Sequence, residues 1–224
     1  MLRVLIFGTV HVDTIEKQFL VEQWDELHSE LNPDCELMLI DANNSVRESL
    51  DNSIVYSFPD NIGHLSRGGQ DGWGRAFCFG IHYAIENGFD YAVHIEGDSL
   101  CRLDVMRECL EMRQTNTLVA GVPVRGTKKC EKDWIESGLV FMDTRFLSAI
   151  EFIERYDWPN FSVKKYPHTP EWWLHDIFGD KFKTMHWKTI RDDCDKLNEA
   201  TVSQYHWITH TKTSIYDAFM VYAK

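Results

Sequence analysis

Apolar positions along this chain follow two rhythms. Residues 3–10, RVLIFGTV, form a nearly continuous apolar run rich in β-branched residues, which predicts a buried parallel strand. Ile15, Phe19, Trp24, Leu27 and Leu31 then recur at helical spacing, and Asn32-Pro33 ends that helix. A second buried strand lies in CELMLIDANN and ends on Asp41, and SIVYSF at 53–58 is a short third. Beyond a glycine-rich loop, Trp73, Phe77, Ile81, Ala84 and Ile85 mark a helix closed by Asn87-Gly88. Strand 91–95, a helix near 103–113 on Leu103, Met106 and Leu110, and a strand at 117–122 continue the alternation.

The second half reads differently. SGLVFMDTRFLSAIEFI predicts a strand and then a helix, and 157–170 carries three prolines and reads as a loop. TPEWWLHDIFG predicts a helix with Thr169 as N-cap, Pro170 at its first position and Gly179 at its close. Short strands around 184–190 and 204–209 are expected to finish the chain. This order predicts the α/β class, a mixed and mainly parallel sheet with helices on both faces. Ligands of such sheets bind beyond the carboxyl ends of the strands. Thr9, Asp41 and the pair Glu96 and Asp98 all stand at those ends.

Composition narrows the picture. At 224 residues, 44% of them hydrophobic, the chain can bury roughly 70% of its unfolded surface without staples. A formal net charge of −12 argues against nucleic acid as a partner. Six cysteines without CxxC spacing predict free thiols in a reducing compartment. The N-terminal MLRVLIFGTV lacks a basic region and a cleavage site, so it is expected to be a strand and not a signal peptide. No apolar run approaches a membrane span, and a soluble, cytoplasmic protein is expected.

Candidate chemistry concentrates where YAVHIEGDSL breaks from apolar to acidic at Glu96-Gly97-Asp98. Two close carboxylates are hard oxygen ligands for Mg²⁺ or Mn²⁺, which also take phosphate oxygens. The same triplet is also an ordinary solvated turn. The loop HLSRGGQDGWGR brings Arg67 and Arg75 among glycines, a composition suited to cradling phosphate, although it is no Walker loop. On the helix from Pro170, Trp172 and Trp173 lie four and three residues before Asp176, a spacing at which an aromatic platform and a carboxylate share a face. The Asp cluster in RDDCD at 191–195 reads as a solvated loop.

A strand–helix–strand ending in Asp41, then PDNIG, a Gly/Arg loop, a helix and DYAVHIEGDSL, resembles the layout of the GT-A glycosyltransferases over roughly residues 3–150. Asn61-Ile62-Gly63 fits the family's N-x-G element, and Glu96-Gly97-Asp98 stands where its D-x-D would, with Glu in place of the first Asp. The resemblance implies one GT-A-like domain over 1–224, with 1–100 binding the nucleotide sugar and 101–224 the acceptor. It implies that Asp41 reads the nucleobase, that Arg75 begins the helix as a phosphate contact, and that Asp98 is the safer metal ligand. A C-terminal histidine completes the metal shell in many members, which points to His210 ahead of His206. The segment with Trp134 and the turn Glu136-Ser137-Gly138 falls where acceptor-binding loops lie.

An inverting transferase needs a carboxylate base, and Asp176 is the expected one, with Glu171 set aside to the helix dipole. The expected activity is therefore a metal-dependent hexosyltransferase with a UDP- or GDP-sugar donor and a carbohydrate or glycoconjugate acceptor. Three rivals remain. A sugar-phosphate nucleotidyltransferase would carry a Gly-rich basic signature after the first strand, which FGTVHVDT lacks. The others are a catalytically silent carbohydrate-binding protein and a metal-dependent hydrolase built on His94-x-Glu96, which conflicts with His94 lying mid-strand.

Overall fold

The computed structural model describes residues 1–42, 45–46, 49–60, 70–124, 134–156, 170–190, 198–209 and 213–223. The first run is strand β1 (Val4–Val10), followed by helix α1 (Ile15–Leu31), which Thr14 caps by accepting from the Lys17 amide. Next come β2 (Glu36–Asp41), β3 (Ile54–Ser57), α2 (Gln70–Glu86) and β4 (Tyr91–Ile95). Then follow β5 (Ser99–Cys101), α3 (Val105–Gln114), β6 (Val119–Val124) and the ten-residue β7 (Trp134–Asp143). The remainder is α4 (Thr144–Ala149), α5 (Phe152–Tyr156), α6 (Pro170–Phe178), β8 (Phe182–Thr184), β9 (Thr189–Ile190), α7 (Glu199–Val202), β10 (Trp207–Thr209) and α8 (Thr213–Ala223).

Among the described residues the main sheet has seven strands in the order β3-β2-β1-β4-β7-β6-β8. β7 alone runs antiparallel, between β4 and β6, so the sheet is mixed and mainly parallel. Alternate residues of each strand feed opposite cores, as a period of two requires. Val4 and Ile6 join Leu37, Leu39, Val93 and Ile95 under α1, α3 and α8, while Leu5 and Phe7 join Met38, Ile40 and Ala92 under α2 and α6. A second sheet, β5-β10-β9, lies beside the end of β4.

Three sequence expectations change. Glu136-Ser137-Gly138 is no turn but part of β7, because Glu96 N donates to Gly138 O and extends the β4 ladder past Ile95. Ser99–Cys101 continues from the acidic turn as β5, since it finds an antiparallel partner in β10. The chain closes with helix α8 after β10, its Tyr216, Phe219 and Met220 buried at i, i+3, i+4 spacing. No helix among the described residues is long and apolar enough to cross a membrane.

Candidate functional site

Glu96, Gly97, Asp98 and Ser99 form one tight turn at the carboxyl end of β4. Ser99 N and Ser99 Oγ both donate to Glu96 O, at 3.0 and 2.7 Å, and Gly97 N donates to Thr9 O at 3.0 Å. Gly97 is required by close approach: a Cβ there would stand 2.9 Å from Leu39 Cδ1 and 3.1 Å from Val10 Cβ. The glycine lets the turn lie flat on the ends of β1 and β2, and so the two acids are carried at the sheet's edge. Opposite, a Cβ on Gly138 would stand 2.9 Å from Glu96 Oε2 and 2.9 Å from Trp207 Cζ2. Glu96 therefore rests across β7, beside the indole of β10.

Asp98 is half-buried, and its Oδ1 is shielded from solvent with no hydrogen-bond partner among the described residues. No Lys or Arg among those residues pairs with it. A buried carboxylate oxygen without a donor is costly unless a cation or a ligand meets it. That oxygen, next to Glu96, is a hard donor suited to Mg²⁺ or Mn²⁺. Among the described residues no group of three or more His, Cys, Asp or Glu gathers into a complete shell. His210, the residue after the last position of β10, lies outside the described residues, as do Arg67, the N-x-G element 61–63 and the 191–195 cluster. His206 is exposed, with Nδ1 accepting from the Lys188 amide at 3.0 Å.

Beneath the turn runs a buried polar chain. His94 Nδ1 faces Ser137 O at 2.7 Å and Nε2 faces Thr9 Oγ1 at 3.0 Å. A carbonyl only accepts, so Nδ1 carries the proton and Nε2 accepts from the Thr9 hydroxyl. Burial holds the His94 pKa down to about 3, so the ring is neutral. His94 is thereby committed inside the fold, which removes the His94-x-Glu96 hydrolase arrangement. Ser137 Oγ in turn donates to Glu171 Oε1 at 2.7 Å, in the first turn of α6.

The remaining expected residues are distributed unevenly. Asp41 is fully buried, with Ser45 N, Ser45 Oγ and Val46 N donating to it at 2.5, 2.7 and 2.8 Å; it holds the loop after β2. Arg75 is 7% exposed, donates to Ala42 O, Asp60 O and Asp60 Oδ1, and stacks over Phe58 at 3.9 Å. It joins the ends of β2 and β3. Trp173 is 1% exposed and packs edge-on against Trp73, Phe77 and Phe152, so its ring belongs to the core. Trp172 is half-buried and Asp176 exposed on the outer face of α6. Trp134 opens β7. Glu171, whose place in the first turn set it aside as a base, is 7% exposed and tied to Ser137 next to Gly138.

No family model matches the sequence, and no curated protein does. Solved structures do. A glycosyltransferase involved in the glycosylation of the major capsid of PBCV-1 superposes with a TM-score of 0.54 at 9% identity, covering 98% of both chains. The apo-form glycosyltransferase GlyE of Streptococcus pneumoniae TIGR4 gives 0.57 at 9% identity, over 100% of this chain and 60% of that one. The fold is the GT-A, Rossmann-like α/β fold that these structures share. A putative glucose-1-phosphate thymidylyltransferase from Bacillus anthracis, solved with sucrose, shares this GT-A-like arrangement at 0.55 and 10% identity, over 100% of this chain and 96% of that one. Within the GT-A scaffold the acidic turn stands at the carboxyl edge of the parallel strands, the edge where α/β sheets bind ligands.

Proposed function

We propose that this protein is a metal-dependent glycosyltransferase that moves a hexose from a UDP- or GDP-sugar to a hydroxyl of a carbohydrate or glycoconjugate. The observation that carries this reading is the orphaned, buried Asp98 Oδ1 in a tight acidic turn at the end of β4. Asp98 would hold Mn²⁺ or Mg²⁺ with Glu96 beside it, and His210 is proposed as a further ligand because Thr209 pairs with Ser99, the neighbour of Asp98. When bound, the ion offsets the charge of the diphosphate leaving group.

The chain's own residues frame the donor. Thr9 presents its backbone carbonyl to Gly97 while His94 fixes its hydroxyl. Asp41 and Arg75 brace the loop ends where the nucleoside would lie, and Arg67 is the proposed phosphate contact. On the acceptor side, Trp134, Ser137 and Trp172 are the proposed contacts. A carboxylate of α6 takes the acceptor proton. Asp176 is the one that helical spacing suggests, and Glu171 is the one that geometry favours, since Ser137 ties it to the strand beside Glu96.

The nucleotidyltransferase reading shares the scaffold, but β1 is followed here by His11, Val12 and Asp13, without a glycine-rich basic run. Calorimetry of UDP and GDP, with and without Mn²⁺, on the native chain and on Asp98→Asn tests the proposal. Nucleotide binding that needs Mn²⁺ and is lost in Asp98→Asn is expected. Metal-independent binding of free sugar without nucleotide would instead support a carbohydrate-binding protein on the same scaffold.

A further inference from the structure

One buried polar group on the small sheet has no hydrogen-bond partner among the described residues. β10 pairs antiparallel with β5, Trp207 opposite Cys101 and Thr209 opposite Ser99. Residues two apart on a strand share a face, so Thr209 lies on the face that carries Trp207. That face is turned toward Gly138 and Glu96, because the Trp207 ring edge and Glu96 Oε2 both stand 2.9 Å from where a Gly138 Cβ would be. Ser99 on the facing strand has its hydroxyl spent, donating to Glu96 O at 2.7 Å and accepting from Trp207 Nε1 at 3.0 Å.

Thr209 is different. The residue is 0% exposed, and its Oγ1 has no hydrogen-bond partner among the described residues. Asp98 Oδ1, one residue before Ser99, is buried and unpartnered as well. Burying a hydroxyl without a partner costs free energy that valine, of the same shape, would avoid. Two such oxygens stand at one corner, Asp98 in the turn that leads into β5 and Thr209 on the strand paired with β5. Their chemistries are complementary: the carboxylate oxygen only accepts and suits a cation, whereas the hydroxyl donates and suits an anion.

We propose that Thr209 is a phosphate contact, its hydroxyl donating to an oxygen of the nucleoside diphosphate whose charge is offset by the cation at Asp98. This rests on the nucleotide-sugar reading above and adds to it a residue that neither motif nor composition marks. Thr209→Val and Thr209→Ser test it, through thermal melting of the ligand-free chain and calorimetry of UDP and GDP in Mn²⁺. The ligand-free Tm of Thr209→Val stays at or above the native value, while its nucleotide affinity falls about tenfold, the loss of one hydrogen bond to a charged group. Thr209→Ser keeps the donor and stays within about threefold of native affinity. A lower Tm for Thr209→Val would reveal a partner inside the fold and overturn the proposal. Native binding that Asp98→Asn abolishes but Thr209→Val leaves untouched overturns the Thr209 contact alone. A native chain that binds neither nucleotide in Mn²⁺ overturns the underlying reading and this inference together.

Discussion

His28 and His94 are both fully buried, yet they serve the protein differently. His94 is neutral and doubly bonded between Thr9 and Ser137 O. His28, inside α1, packs edge-on against Trp24 with neither ring nitrogen bonded among the described residues. Burial holds each pKa down to about 3, against 6.5 for a free histidine. A histidine depressed on folding is neutral in the native state and charged once unfolded, so the unfolded state binds the extra proton below pH 6.5. Stability is therefore full above that pH and falls as pH drops toward the folded pKa, by about 1.4 kcal/mol per pH unit for each histidine. Urea unfolding at pH 7.5 and 5.0 is expected to show this loss, and His28→Leu is expected to halve the histidine share of it. An unchanged pH dependence in His28→Leu would mean that His28 is already charged or open in the native state. Sequence marks such residues poorly. Asp41 and Arg75 stand out in it as polar groups at a strand end and a helix start, but their partners Ser45, Ala42 and Asp60 are known only once the loops are folded.

At the scale of elements, apolar rhythm carried most of the information. β1, β2 and β4 are buried along their lengths and read as continuous apolar runs, and α1 and α2 follow helical spacing. β5 is three residues, too short for any period to register, and it exists because it pairs with β10, which falls within the short strand expected at 204–209. α2 shows how closely the layers meet. A Cβ on Gly80 would stand 2.3 Å from Phe7 Cδ2, and Phe7 is itself boxed in by Phe77 and His94. The ring cannot give way, so Gly80→Ala is expected to destabilise the fold by about 1–3 kcal/mol, the usual cost of overpacking. Denaturant titration measures it. A neutral result would mean that α2 can shift away from β1 without loss.

Across the whole molecule, the proposed donor and acceptor sides meet at one edge of the sheet through the antiparallel β7. Its Gly138 touches Glu96 from the donor half, and its Ser137 holds Glu171 of α6. The two sides should be separable. Glu171→Gln is expected to leave Mn²⁺-dependent nucleotide binding intact while lowering transfer by about 10²–10⁴-fold, the usual contribution of a general base. Asp176→Asn, at an exposed position, is expected to retain transfer. Release of UDP or GDP from sugar donors, measured with glycan acceptors, separates them, and the reverse pattern assigns the base to Asp176. The amino-acid sequence alone determined the alternation of buried strands with amphipathic helices, and with it the carboxyl edge on which Thr9, Asp41, Glu96 and Asp98 stand, because periodicity and burial are local in the chain. Tertiary structure alone decided which polar groups are spent on the fold and which are buried without a hydrogen bond among the described residues. His94 is consumed between Thr9 and Ser137, while Thr209 Oγ1 and Asp98 Oδ1 find no hydrogen-bond partner among the described residues. Whether a hydrogen bond forms depends on residues dozens of positions apart meeting within 3 Å, and no local pattern records such meetings.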